Sequence, residues 1–267
     1  MVWLLVFLIA LLDDGSPQLG AEGAQEHLVS GKVTDIGHRP LAGIAVYSSP
    51  RCCPLHVGAT RTDESGIYML EAPGAVVHFR APGFQPLTKL TSQKETDVVL
   101  RPAESYLVIS ACPASQATNS FGGTVRFTPP AVAHVLSRTG TDFTAHLIRR
   151  VDSGALLRIW SGAMAGNMDA KEELYLESAS FHERFVTDDR GKIIGIDASG
   201  TTADSRRWRW VGLNPFLAEA WPTPQNMAGS IVAPEMARYE DATSDDSEFF
   251  DRIIDGVCIA PPAHRNP

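Results

Sequence analysis

Val29-Ser30-Gly31-Lys32-Val33-Thr34-Asp35, then Pro40-Leu41-Ala42-Gly43-Ile44-Ala45-Val46, then Thr60-Arg61-Thr62-Asp63-Glu64-Ser65-Gly66-Ile67-Tyr68-Met69-Leu70: these three pieces decide the fold of the chain. Each is short, holds β-branched or aromatic residues, and is bounded by Gly, Pro or Thr-Asp turn chemistry. The same pattern continues to residue 102, with strands expected at 28–34, 43–49, 57–62, 66–71, 75–80, 84–91 and 95–101. Seven short strands with turn signals between them predict a β-sandwich. Alternation is clear in Val76-Val77-His78-Phe79-Arg80 and in Asp97-Val98-Val99-Leu100. Gly66 is expected to supply a positive φ after the Asp63-Glu64-Ser65 turn, with Tyr68 and Leu70 on one inward face. Gly83 after Pro82 marks another tight corner.

The Gly-x-Val, Pro-Leu-x-Gly-x-x-Val and Thr-Asp-x-x-Gly-x-Tyr elements at 31–33, 40–46 and 62–68 together resemble the carboxypeptidase regulatory-like module. That family has a transthyretin-like, carbohydrate-binding-like fold and occurs in many extracytoplasmic bacterial proteins. The resemblance spans 28–102, about the first third of the chain beyond its leader, and implies a seven-stranded sandwich. Such modules are usually accessories, and function lives in sites grafted on folds. A zinc carboxypeptidase would need a His-x-x-Glu pair that brings an imidazole and a carboxylate to one metal. None of the eight histidines is followed by Glu at that spacing. No His-Glu-x-x-His, Gly-x-Ser-x-Gly or phosphate-cradling Gly-rich loop occurs either. The resemblance therefore implies the accessory sandwich without catalytic residues, metal site or cofactor.

Met1 to Leu12 is an apolar run ended by Asp13-Asp14. It is too short for a transmembrane helix, which needs about 20 residues. It is expected to be a secretory signal peptide over 1–24, with Ala21, Gly23 and Ala24 offering small residues for cleavage. The mature chain is then periplasmic, cell-surface or secreted, and no second apolar stretch is long enough to span a membrane. A net charge of -8 argues against a nucleic-acid partner, which needs a basic face. The acid clusters from Glu235 through Asp255, expected to be a solvated, solubilising face.

Four cysteines, Cys52, Cys53, Cys112 and Cys258, allow three fully paired connectivities in an oxidising compartment. A Cys112–Cys258 bridge would join the two ends of the second region. Closing so long a loop is worth about 4 to 5 kcal/mol on a chain-entropy estimate. Cys52-Cys53 is left open between a vicinal disulfide and two free thiols.

Pro102-Ala103-Glu104 marks the boundary to a second region, 104–267, expected to be antiparallel and β-rich. Strands are expected at 106–109, 124–128, 143–151, 155–161, 173–178, 181–187, 192–198 and 207–213, with polar loops at 112–123 and 214–234. Asp188-Asp189-Arg190-Gly191 is a hairpin signal between two of them. One helix is expected over 244–255: Thr243 or Ser244 caps it, Phe249, Phe250, Ile253 and Ile254 recur at helical spacing, and Gly256 ends it.

Arg206-Arg207-Trp208-Arg209-Trp210 is the sharpest constellation of this region. As a strand it sets Trp208 and Trp210 on one face and Arg207 and Arg209 on the other. These four are the candidate ligand-binding residues. Tryptophans turned outward would form an aromatic platform for sugar rings, extended by Trp160 or Trp221. Tryptophans turned inward would be core, leaving the arginines as an outer stripe paired with Glu183 or Asp188. His182 and Glu183, as strand neighbours, face opposite ways; His182 is expected to be an ordinary half-exposed residue, with Asp197 across the hairpin as its possible carboxylate. The expected function is a non-enzymatic binding or scaffold role at the bacterial envelope, with a glycan or an envelope protein as partner. The competing class is a hydrolase with its site in the second region, near 214–234.

Overall fold

A computed structural model describes residues 28–49, 58–71, 76–90, 95–113, 125–141, 143–162, 171–213 and 235–260. The leader expected over 1–24, Cys52, Cys53, Trp221 and the loop expected over 214–234 lie outside the described residues. The chain is mainly β, with strands β1 (Leu28–Asp35), β2 (Ala45–Ser49), β3 (Gly58–Arg61), β4 (Ile67–Glu71), β5 (Val76–Arg80), β6 (Leu87–Leu90) and β7 (Val98–Leu100) in its first part. They form two sheets, β4-β1-β7 and β3-β2-β5-β6. Val33, Val46, Tyr68, Leu70, Val77, Phe79 and Leu100 from both sheets fill one core.

The sequence elements of this part have visible causes. A Cβ on Gly31 would sit 2.2 Å from the Thr96 carbonyl oxygen, so the backbone approach there admits only glycine. Gly66 has φ 76°, and a Cβ would lie 2.5 Å from the Val33 oxygen. Thr62 Oγ1 accepts from the Ile44 amide at 2.9 Å and donates to the Leu41 carbonyl at 2.6 Å, binding two segments to its own. Asp63 Oδ1 accepts from the Ser65 and Ile67 amides, closing the turn that ends at Gly66. Tyr68 donates to the Thr96 carbonyl at 2.8 Å. Burial, and then the charge of Asp97, push its phenol up to about 12.

The second part contains β8 (Leu107–Ile109), β9 (Val125–Arg126), β10 (Ala133–Thr139), β11 (Phe143–Arg150), β12 (Leu156–Gly162), α1 (Lys171–Glu177), β13 (Ser178–Asp188), β14 (Ile193–Thr202), β15 (Arg207–Leu213), β16 (Glu235–Ala242), α2 (Ser244–Asp255) and β17 (Cys258–Ile259). Eight of these strands make one sheet in the order β10-β11-β12-β16-β15-β14-β13-β8. Only β8 joins it in parallel, pairing Leu107 with Val186. On one face α2 buries Phe249, Phe250, Ile253 and Ile254 against Val186, Val211 and Tyr239. Thr243 caps α2, its Oγ1 accepting from the Asp246 amide. Cys112 and Cys258 are bonded, tying the segment after β8 to β17, which pairs with β9.

Three expectations are corrected. The strand expected at 173–178 is helix up to Glu177: Lys171–Glu177 is helical, because its Lys, Glu and Leu residues favour helix and Leu174 and Tyr175 are buried side by side, and Ser178 already begins β13. β10 and β16 occupy stretches where no strand was expected. β10 is an edge strand with mostly exposed residues, and β16 carries charge in a sheet interior, so neither shows a clean apolar alternation. The acidic run from Glu235 through Asp255 is a solvated face only in part: Glu240, Asp241, Asp245, Glu248 and Asp255 are exposed, but Asp246 is buried, and Asp246, Asp251 and Asp255 pair with arginines.

The two parts are joined through the other face of the eight-stranded sheet. Ala45, Tyr47 and Val76 pack with Tyr175, Phe185, Ile196, Trp208 and Trp210 in a common apolar cluster. All five residues of β5 are therefore buried: Val77 and Phe79 face one core, while Val76, His78 and Arg80 face the joint. At the Pro102-Ala103 boundary, Pro102 bridges to Phe84 and the Ala103 amide donates to the Gly83 carbonyl at 2.9 Å, making a packed corner.

Candidate functional site

Strand alternation in β15 sends its two residue types to opposite faces of the sheet. Trp208 is 1% exposed and Trp210 8%, both inside the joint, with Trp208 Nε1 donating to Ser178 Oγ at 2.7 Å. Trp160 is buried in the same cluster. An outward aromatic platform on Trp208, Trp210 and Trp160 is thus overturned, because the first part of the chain covers the face they occupy.

The arginine face is the one that opens to solvent. A cleft of about 500 Å³ lies between α2 and the outer half of the sheet. Ser180, His182 and Arg184 line it from β13, Asp197, Ser199 and Thr201 from β14, Arg207 and Arg209 from β15, Tyr239 from β16, and Asp251 and Asp255 from α2. The pairing register arranges the strand residues in rows. Ser180 lies opposite Thr201 and Thr201 opposite Arg207; His182 lies opposite Ser199 and Ser199 opposite Arg209; Arg184 lies opposite Asp197.

Arg209 forms the floor. It is buried, and so not part of an outer stripe. Its Nε and Nη2 donate to the two oxygens of Asp197 at 2.9 Å, Nη1 to Asp251 at 2.9 Å and Nη2 to Asp255 at 2.8 Å. Burial opposes its charge, but the hydrogen bonds and charges of Asp197 and Asp255 outweigh that and raise its pKa above the ordinary value. Its partners are these aspartates rather than Glu183 or Asp188. Tyr239 donates to Asp251 at 3.0 Å, and burial together with that carboxylate's charge raises its phenol pKa. Arg184 Nε donates to Asp197 at 2.8 Å, so the Asp197 carboxylate is shared by two guanidiniums. His182 does not reach it; its Nε2 lies 3.0 Å from Ser199 Oγ. Arg207 is exposed and donates to Ser247 Oγ at 3.3 Å.

Of the four sequence candidates, Arg207 and Arg209 thus reach the cleft with their side chains, while Trp208 borders it and Trp210 does not. The sequence reading missed Asp251, Asp255, Tyr239 and Ser199. The hairpin at Asp188-Asp189-Arg190-Gly191 held a signal for part of this: it fixes the register that sets His182, Arg184, Asp197 and Ser199 on one face. The α2 carboxylates had none, because their approach depends on how the helix docks.

Opposite the cleft, Glu183 points into the joint. Arg80 Nη2 lies 2.6 Å from its Oε1, and Thr88 Oγ1 and Tyr175 OH each donate to it at 2.6 Å. Arg80 also donates to the Phe79 and Leu87 carbonyls. Both side chains of the pair are essentially inaccessible, at 0% and 1%.

A second hollow, of about 760 Å³, lies between α2 and the β10–β11 side of the sheet, near Pro129, Val132 and Val151. It is largely apolar, and its Arg150 is taken up by Asp152, Asp246 and the Phe249 ring. Among the described residues no group of three or more His, Cys, Asp or Glu side chains is placed to hold a metal ion, and no helix is long and apolar enough to cross a membrane. No family model, curated protein or solved structure matches the chain.

Proposed function

We propose that this chain is an exported, non-enzymatic binding protein of the bacterial envelope that takes a glycan in the cleft between α2 and strands β13–β15. The cleft carries this proposal: hydroxyls, a histidine and an exposed arginine converge there above a buried, hydrogen-bonded floor. Ligand sites typically combine a preformed hollow of this size with a few convergent polar groups. The first part of the chain acts as a carboxypeptidase regulatory-like sandwich, a reading supported by its two sheets over one core and by the roles of Gly31, Thr62 and Gly66. It is a fixed scaffold here, because its β5 face is buried against the eight-stranded sheet.

Isothermal titration of the mature protein with a panel of bacterial and plant oligosaccharides tests the proposal, with Arg207→Ala and His182→Ala as cleft variants. Saccharide binding weakened roughly tenfold or more by either variant is expected. No saccharide binding, or binding indifferent to both variants, overturns it.

One observation favours a hydrolase instead. His182 Nε2 and Ser199 Oγ are at hydrogen-bond distance in the cleft, the first requirement for a base and a nucleophile. Asp197, however, is held by Arg184 and Arg209 and does not orient that histidine. Release of reducing ends or of acyl groups from a bound glycan, abolished by Ser199→Ala, would replace binding by catalysis.

A further inference from the structure

We infer that the cleft selects an uncharged glycan over an acidic one, and that Asp255 sets this selectivity; the inference rests on the glycan proposal above. The charged groups lining the cleft are Arg184, Arg207 and Arg209 against Asp197, Asp251 and Asp255, which balance. The balance is local as well as formal. Each of the three aspartates accepts from Arg209, and Asp197 from Arg184 too, so the deep cationic groups are already satisfied.

An acidic sugar entering this cleft would bring a carboxylate to a site whose buried guanidinium has no need of one. At the Arg209 floor it would have to displace an aspartate or lie close to one, and an unpaired charge withdrawn from water is costly. A neutral sugar meets no such conflict. Its hydroxyls both donate and accept, as do Ser180, Ser199 and Thr201, while Arg207 adds exposed donors.

Asp255 is the aspartate through which this choice is set. Its side chain is 52% exposed, the most open of the three, and among the described residues it accepts a hydrogen bond from Arg209 Nη2 alone. Asp197 is buried beneath the floor, and Asp251 also holds the Tyr239 hydroxyl. Replacing Asp255 by Asn leaves the cleft with one net positive charge and weakens the competition for Arg209, while the other two carboxylates keep that arginine in place.

The experiment is calorimetric titration of the full mature chain and of Asp255→Asn with cellotriose and chitotriose as neutral probes and trigalacturonate as the acidic one. The wild type is expected to favour a neutral trisaccharide over trigalacturonate by roughly tenfold, the scale of one unfavourable charge contact near a surface. Asp255→Asn is expected to erase or reverse that preference, with the gained uronate affinity falling as salt is raised. A wild-type preference for trigalacturonate, or an unchanged ratio in Asp255→Asn, overturns the inference and leaves the glycan proposal standing. Binding of none of these or of the wider panel overturns both. Circular dichroism and thermal melting of Asp255→Asn confirm that a changed ratio is not a folding effect.

Discussion

Arg80 meets one face of the eight-stranded sheet and Arg209 projects from the other, and adjacent residues of β13 serve both: Glu183 binds Arg80, and Arg184 joins Arg209 on Asp197. Both guanidiniums are buried, and for both the opposing charge outweighs the cost of burial and raises the pKa. Their surroundings differ. Arg80 has one carboxylate, which is as inaccessible as itself and is further held by Thr88 and Tyr175. Arg209 has three, two of them on a helix wall that water reaches, at 37% and 52% exposure. A sealed pair fixes two parts of a chain in one relative placement, whereas an open network leaves polar groups available to a ligand. The same chemistry thus serves as joint on one face and as cleft floor on the other.

The largest expected effect tests whether the Arg80 pair is sealed. Glu183→Ala leaves a guanidinium buried without its carboxylate and should cost about 4 kcal/mol, measured by denaturant unfolding. Replacing both partners, as Arg80→Met with Glu183→Leu, should recover most of that loss, since a packed apolar pair of similar volume removes two desolvation costs at once. If the double variant is as unstable as the single one, packing rather than the unpaired charge dominates at the joint.

Arg209→Met is expected to cost less, about 2 kcal/mol, because Asp197 keeps Arg184 while Asp251 and Asp255 fall back on water. A loss equal to that of Glu183→Ala would erase the distinction between the two networks. The saccharide titrations supply the second half of this comparison: Arg209→Met should abolish binding at the cleft, and Glu183→Ala should leave it intact in the folded fraction.

How much of this was legible follows from which residues act locally. Gly31, Thr62, Asp63 and Gly66 do their work within turns and neighbouring strands, so the pattern of the first seven strands could be read directly. The Cys112–Cys258 bridge was also within reach, as a pairing of two region ends. The alternation in β5 was equally plain, yet it could not show that the polar face carrying His78 and Arg80 is covered by another sheet. The β15 motif was right in its two faces. Its orientation was open because burial of the tryptophans depends on the joint, a long-range contact that no window of sequence contains. Helix α2 was legible from its cap and its apolar spacing. What its Asp251 and Asp255 touch was not.

The position of α2 sharpens the comparison further, because the helix forms one wall of the cleft and Asp246 anchors its first turn. Asp246 accepts from Ser153 Oγ at 2.6 Å and Thr243 Oγ1 at 2.7 Å and pairs with Arg150 at 3.2 Å. Burial would raise its pKa, but those hydrogen bonds and the Arg150 charge prevail and hold the carboxyl below its ordinary value. The stabilisation is therefore present above the unfolded carboxylate value of about 4 and is lost as pH falls through the lower folded value. Asp246→Asn should cost about 1 kcal/mol at neutral pH, and its gap to the wild type should narrow in acid. Unfolding curves at pH 7 and pH 3 measure both; a gap that is constant with pH would mean that the carboxylate charge contributes nothing there.

Arg207→Ala carries the smallest expected change in stability and separates the two roles most cleanly. Arg207 is exposed and, among the described residues, its side chain makes one hydrogen bond, a 3.3 Å contact to Ser247, so its removal should alter unfolding free energy by no more than about 0.5 kcal/mol. The same change should weaken saccharide binding, because Arg207 presents the guanidinium least committed to protein carboxylates along the cleft. Glu183→Ala is its mirror image, large in stability and silent in ligand affinity. Measuring both quantities on both variants places each residue on one side of the sheet's division of labour. If either of these two variants moved both quantities, the joint and the cleft would be coupled through β13.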